Sequence, residues 1–114
     1  MATPKPSEIW LVRFPFTDLT TTKQRPAFVI ANHGEDIIVA GIFSRVPAKL
    51  RATWVLIDDQ RSGFDQTGLK KSSILKAEKI AVIHESVFQR KLGKLPADLI
   101  GTFQTALKKA LLMV

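Results

Sequence analysis

The chain of 114 residues is 46% hydrophobic and contains no cysteine, so it predicts one compact domain without disulfides or thiolate metal sites. Seventeen Lys and Arg residues oppose ten Asp and Glu residues, which leaves a net charge of +7 and favours a polyanionic partner. A basic balance also serves solubility alone, so charge by itself leaves contact with nucleic acid open.

The chain up to residue 83 predicts short strands connected by tight turns. Residues 1–7 hold two prolines and few apolar anchors, so they are expected to form a flexible lead-in. Pro15 ends the first strand, and the polar segment 18–25 forms the loop before the second. Turn residues at 32–36 predict a hairpin between the second and third strands. Six strands are predicted, over residues 8–14, 26–31, 37–46, 53–57, 73–75 and 80–83.

The C-terminal third of the chain changes to a helical period. Apolar residues recur at three- and four-residue steps after Pro96, which predicts one amphipathic helix. A shorter helix is predicted over residues 85–92, ended by Gly93. The fold class is therefore α+β and mainly β, a barrel or a sandwich, in one domain of residues 1–114. The buried face of the long helix is predicted to comprise Ile100, Phe103, Leu107 and Leu111.

Motifs for metal or cofactor chemistry are missing from the sequence. The six glycines are scattered, so no phosphate-binding loop is predicted, and no G-x-S-x-G elbow supports a serine hydrolase. The only two histidines, His33 and His84, lie far apart in the chain, which argues against zinc. No segment approaches the run of about 20 apolar residues that a spanning helix needs. We therefore predict no cofactor, no metal, no membrane partner and a cytoplasmic location.

Arg25 is the strongest single candidate for chemistry. It directly precedes Pro26, where a long polar loop enters a strand, and such a junction holds a side chain more rigidly than a loop tip does. Its guanidinium is always charged and matches phosphate oxygens, so it can stabilise charge on a phosphorus centre under attack. An ordinary surface arginine is the alternative interpretation.

Three blocks of sequence resemble the PemK/MazF toxins. Residues 8–20 (EIWLVRFPFTDLT) and 23–30 (KQRPAFVI) are similar to that family's G-E-I-W-L-V-x-F-P-F-T-D-L-T and K-x-R-P-A-L-V-L. Residues 68–81 (GLKKSSILKAEKIA) resemble G-L-K-K-P-S-x-V-R-A-D-K-L-A, and residues 90–95 (RKLGKL) resemble R-K-L-G-R-L. The blocks span most of the chain in the family's order, which makes the resemblance far more specific than any single motif.

The resemblance implies an SH3-like antiparallel β-barrel of the PemK/CcdB type, with a short helix and an amphipathic C-terminal helix, and a homodimer. It also implies a sequence-specific endoribonuclease that cuts single-stranded mRNA without metal and arrests growth as the toxin of a type II toxin–antitoxin system. In such toxins the RNA 2′-hydroxyl attacks the adjacent phosphate, giving a 2′,3′-cyclic phosphate. The expected partners are single-stranded RNA and a cognate antitoxin with an acidic, disordered tail.

Catalytic roles follow from the resemblance position by position. Arg25 matches the family arginine that stabilises the pentacoordinate phosphate and protonates the leaving oxygen. Lys76 and Glu78 fall where some members have an arginine and an aspartate, and their spacing of two places both on one face of a strand. Glu78 would then accept the 2′-hydroxyl proton while Lys76 holds a phosphate. A solvent-facing ion pair between Lys76 and Glu78 is the alternative.

Two positions depart from the family pattern. Ser7 replaces the glycine that opens the first block, and Phe43 replaces the threonine of the family's I-T-S at the end of the third strand. Because side chains alternate along a strand, Ser44 should face away from Phe43 unless a one-residue bulge turns it inward. Phe43 is expected either to stack against an RNA base or to fill the site.

Other polar residues are expected to bind RNA. Thr20, Thr21 and Lys23 lie in the loop before Arg25, and Lys70 and Lys71 form a basic loop suited to the RNA backbone, or simply a solvated surface. These join Phe43 and Ser44 as predicted RNA contacts.

Two other functions stay open. One is a catalytically impaired relative that still binds RNA or antitoxin, which Phe43 makes credible. The other is a CcdB-like toxin that poisons a protein such as DNA gyrase, for which a catalytic cation at Arg25 would be unnecessary.

Overall fold

The computed structural model describes residues 3–16 and 23–113. Within them, six strands precede one α-helix, and two short 3-10 turns, Phe64–Thr67 and Glu85–Val87, connect strands. The strands are β1 (Glu8–Arg13), β2 (Gln24–His33), β3 (Asp36–Phe43), β4 (Trp54–Ile57), β5 (Ser73–His84) and β6 (Phe88–Lys94), and the helix is α1 (Ala97–Ala110).

All six strands form one antiparallel sheet in the order β4-β5-β3-β2-β1-β6. The predicted mainly β fold with a C-terminal helix is confirmed. Register shifts interrupt the pairing of β1 with β6, of β2 with β3 and of β3 with β5. Such irregularities bend strands and increase their twist. The sheet has β4 and β6 at its two ends.

Strand β5 corrects the prediction of two separate strands over residues 73–75 and 80–83. It is continuous, but Ile42 lies opposite Leu75 whereas Ala40 lies opposite Ile80. Four residues of β5 therefore face a single residue of β3, and this bulge contains the polar stretch that looked like a break in the sequence. The bulged stretch is held instead by β4 and the residue before it, since Trp54 lies opposite Lys76 and the Ala77 N–H donates to the Thr53 carbonyl at 2.9 Å.

The predicted helix over residues 85–92 is wrong. A single 3-10 turn is followed by strand β6, whose Arg90 lies opposite Leu11 of β1. Gly93 does not end a helix; it pairs with Ile9, and a Cβ at this position would collide with the backbone of residues 66–67. Glycine is needed here because the Phe64–Thr67 turn packs directly against the strand.

Alternation along the strands gives the sheet two buried faces. One packs against α1, where the Phe28 and Phe103 rings are 4.9 Å apart in an edge-to-face arrangement. Phe103 is buried as predicted, whereas Leu111 follows the helix and is 50% exposed, so it is not part of the buried stripe. The opposite face has its own apolar cluster, formed by Trp10, Val12, Ala27, Val29, Ile37, Val39, Ile83 and Phe88.

Ser7 adopts a left-handed backbone conformation with a φ of 75°. Its N–H donates to the Val29 carbonyl at 2.9 Å, and its carbonyl accepts from the Leu95 N–H at 3.0 Å. These two bonds tie the start of β1 to β2 and to the segment after β6. The family pattern has glycine here, and the left-handed conformation supplies the physical reason.

Among the described residues, no helix is both long enough and apolar enough to cross a membrane.

Candidate functional site

Four strands bring cations and aromatic rings together at one end of the sheet. Arg25 on β2, Phe43 at the end of β3, Trp54 on β4 and Lys76 on β5 line a cleft of about 420 Å³. Ala27 pairs with Gly41, so Arg25 comes level with Phe43 two residues along. Arg25 also shares the face of Ala27 and Val29, opposite the helix. We call this cavity the cationic cleft; its remaining lining residues are Ser44, Arg45 and Pro47.

The Phe43 ring forms an inner wall of the cationic cleft. The residue is only 8% exposed, and its ring centroid lies 4.7 Å from Lys76 Nζ and 5.7 Å from Arg25 Cζ. The ring also packs over Gly41, where an added Cβ would lie 2.9 Å from Phe43 Cε2. The aromatic ring therefore fills part of the site while presenting surface beside both cations.

Lys76 is held between two aromatic rings. Its Nζ lies 4.5 Å from the Trp54 ring centroid and 4.7 Å from that of Phe43. The Trp54 ring contacts a second cation, because Arg51 Cζ lies 5.1 Å from the same centroid. Cation–π contacts of this kind localise a charge that a lysine would otherwise move through solvent. The ammonium group is thus positioned at the wall of the cleft.

Glu78 lies beside the cationic cleft rather than among its lining residues. Its Oε2 accepts a hydrogen bond of 2.8 Å from Trp54 Nε1, and its Oε1 accepts one of 2.9 Å from Thr53 Oγ1. Arg51 contributes an ion pair at 3.8 Å. Burial raises the pKa of Glu78, but the hydrogen bonds and the Arg51 charge outweigh it and lower that pKa below its ordinary value. The carboxylate is ionised at neutral pH.

A second cavity of about 350 Å³ meets the cationic cleft at Ser44, which is exposed and lines both. Its cations are Lys70, Lys71 and Arg90. We call it the basic groove; its apolar lining residues are Leu11, Pro26, Leu69 and Leu92.

The structure thus separates the predicted site residues into groups. Arg25, Lys76, Phe43 and Ser44 meet in the cationic cleft, and Lys70 and Lys71 line the basic groove. Lys23 is exposed just before β2, and Thr20 and Thr21 lie outside the described residues.

Sequence reasoning did not assign Arg45, Trp54 or Arg90 to the site. The sequence signal for Arg90 was the block at residues 90–95. The position of Trp54 opposite Lys76 depends on the pairing of β4 with β5, which only the structure gives. Metal-ligating side chains do not cluster in threes anywhere in the described part of the chain.

A small antiparallel β fold with a cleft lined by cations and aromatic rings defines a protein equipped to contact phosphate groups and stack flat rings. A family model for the PemK-like, MazF-like toxins of type II toxin–antitoxin systems matches residues 5–111. The chain therefore belongs to this family, which confirms the resemblance seen in its sequence blocks. No curated protein sequence gives a significant match.

Solved structures share the fold. The Mycobacterium tuberculosis toxin MazF-mt6 has a TM-score of 0.74 at 20% identity, covering 94% of this chain and 98% of that one. A MazF from Deinococcus radiodurans also reaches 0.74 at 20% identity, covering 99% and 100%. An endoribonuclease in complex with its cognate antitoxin, from a mycobacterial species, has a TM-score of 0.73 at 17% identity, covering 98% of each chain.

Proposed function

We propose that this protein is a sequence-specific, metal-independent endoribonuclease that cleaves single-stranded mRNA and arrests growth as the toxin of a type II toxin–antitoxin system. The observation that carries this proposal is the convergence of Arg25 and Lys76 on one cleft. Two fixed cations can supply the charge stabilisation that a phosphate under attack requires. Family membership and the mycobacterial neighbour named as an endoribonuclease support the same reaction.

The reaction balances without an external co-reactant. The 2′-oxygen forms a bond to phosphorus while the bond from phosphorus to the 5′-oxygen breaks, leaving a 2′,3′-cyclic phosphate and a free 5′-hydroxyl. The attacking hydroxyl gives its proton to a base, and the leaving oxygen receives one from an acid. In this scheme Arg25 stabilises the pentacoordinate phosphate and protonates the leaving oxygen, while Lys76 binds a non-bridging oxygen of the phosphate.

Glu78 is the proposed proton acceptor. Its lowered pKa keeps it ionised, and its position two residues from Lys76 places it on the same side of β5. Each of its oxygens already accepts one hydrogen bond, from Trp54 and from Thr53, so a spare lone pair must take the proton. The same bonds hold the carboxylate in a single orientation.

Phe43 is the proposed stacking surface for a base of the RNA. A base needs only an aromatic face, and the Phe43 ring lies beside both cations that would hold the phosphate. The opposite role has a structural basis as well, because the ring fills space in the cleft. A catalytically impaired protein that binds RNA or antitoxin is therefore the second candidate function.

The proposed partners follow from the reaction and the family. We expect a homodimer in the cytoplasm, where mRNA is found, and a cognate antitoxin with an acidic, disordered tail. A neighbour of the same fold is an endoribonuclease in complex with its cognate antitoxin. An acidic tail suits the net charge of +7 and would compete with RNA for Arg25 and Lys76.

The decisive experiment incubates the purified protein with long single-stranded RNA in EDTA and maps the breaks and their termini. Wild type should cut at a restricted sequence and leave 2′,3′-cyclic phosphates. Arg25→Ala should reduce the rate about 10²- to 10³-fold, the usual effect of removing one transition-state donor.

Two further variants make the result specific. Arg25→Lys should recover only part of the rate, because lysine keeps the positive charge but lacks the paired N–H donors with which a guanidinium binds two phosphate oxygens. Lys109→Ala, an exposed cation on α1, should cleave like wild type. Cleavage that Arg25→Ala leaves unchanged would contradict the proposed role of Arg25. An inactive wild type that becomes active as Phe43→Thr would identify the impaired relative.

A further inference from the structure

Among the residues that the structure describes, the lining of the basic groove includes three cations and no carboxylate. Lys70, Lys71 and Arg90 are all exposed, and none forms an ion pair with another described residue. The floor is apolar, formed by side chains from β1, β2, the segment before β5, and β6. A cationic rim over an apolar floor complements a chain that alternates phosphates with flat rings.

Ser44 joins this groove to the cationic cleft. Gln24 and Pro26 line the groove while Arg25, between them, lines the cleft, so the two cavities lie on opposite faces of β2. Ser44 follows the end of β3 and borders both cavities. An RNA strand that leaves the cationic cleft beyond the end of β3 would therefore pass Ser44 and enter the basic groove.

The groove is poorly suited to an added peptide strand. A peptide that docks by strand addition needs a free sheet edge, but β1 and β2 are paired on both sides. The outer edge of β6 is covered at Leu92, because Gly68 packs against the Leu92 backbone and leaves no room for a Cβ. Nucleic acid needs no such edge, since cations and apolar surface are sufficient.

We infer that the basic groove is a second RNA subsite, which holds a nucleotide beyond the two that the cleaved linkage joins. Lys70, Lys71 and Arg90 bind its phosphates, and the apolar floor takes its base or sugar. The inference rests on the proposed ribonuclease function and adds Arg90 to the residues that contact the substrate. It makes binding extend beyond the bond that is cut.

The test compares the variant Lys70→Ala/Lys71→Ala/Arg90→Ala with Lys108→Ala/Lys109→Ala, whose positions lie on α1. Substrates are the mapped cleavage sequence, shortened one nucleotide at a time from either end. The groove variant should lose at least about tenfold in kcat/KM on long RNA and almost nothing on the shortest cleaved fragment. For the groove variant, the slope of log(kcat/KM) against the logarithm of salt concentration should be less steep than for wild type by about two. Each phosphate that is no longer neutralised reduces this slope by about 0.7.

A binding measurement separates this inference from the proposed reaction. Fluorescence anisotropy with a labelled 2′-O-methyl oligoribonucleotide needs no cleavage, because the attacking hydroxyl is blocked. Weaker binding by the groove variant than by the α1 variant would support the subsite even if wild type cleaves nothing. Equal binding by both variants would overturn it. Loss of affinity for an acidic peptide with unchanged RNA binding would overturn it too and assign the groove to antitoxin.

Discussion

Gly41 controls how the Phe43 ring sits in the cationic cleft. A Cβ at position 41 would lie 2.9 Å and 3.0 Å from Phe43 Cε2 and Cζ, and 3.1 Å from Phe16 Cδ1. These separations are well inside the contact distance of about 3.5–4.0 Å between carbon atoms, so the rings must move. We expect Gly41→Ala to cost about 1–3 kcal/mol of unfolding free energy, the usual range for overpacking. The Phe43 ring should shift toward the cleft and change cleavage as well.

Urea unfolding at a fixed protein concentration measures the loss. Gly101→Ala is the matched control, because Gly101 lies on α1 with nothing near its missing Cβ. It should gain about 0.5–1 kcal/mol, the helical preference of alanine over glycine. In a Phe43→Ala background the cost of Gly41→Ala should shrink, leaving only the contact with Phe16. An unchanged cost in that background would refute the coupling between Gly41 and Phe43.

Two further predictions concern Glu78 and Ser7. Glu78→Gln should slow cleavage about 10²- to 10⁴-fold. Because the pKa of Glu78 lies below its ordinary value of 4.5, the wild-type rate should fall only as the pH decreases below about that value; an acid limb near neutral pH in the rate profile would contradict the assignment. Ser7→Gly should raise the unfolding free energy by about 0.5–1 kcal/mol by relieving the left-handed conformation. Ser62→Gly, without a positive φ, should give no such gain in the same urea titration.

Local patterns in the sequence were sufficient for most of the elements. The alternation in β1 and β2, the turn before β3 and the three- and four-residue period of α1 all have direct physical causes in strand and helix geometry. They failed in residues 85–92, where pairing with β1 overrode a helix-like stretch. They also failed at Gly93. Glycine is required there because the backbone of residues 66–67 packs against it, not because a helix ends.

The candidate site was predictable only in part. Arg25 could be found from its position before Pro26 and from the family pattern, because both are properties of neighbouring residues. The tertiary structure alone decided that Lys76 lies between the rings of Phe43 and Trp54 and that Glu78 is held by Trp54. These contacts depend on strand order and on the bulge in β5, which join residues far apart in the chain. Composition and local periodicity carry no information about such pairings. The sequence therefore determined the type of most elements, whereas the tertiary structure determined the strand at residues 88–94 and which side chains share a cavity.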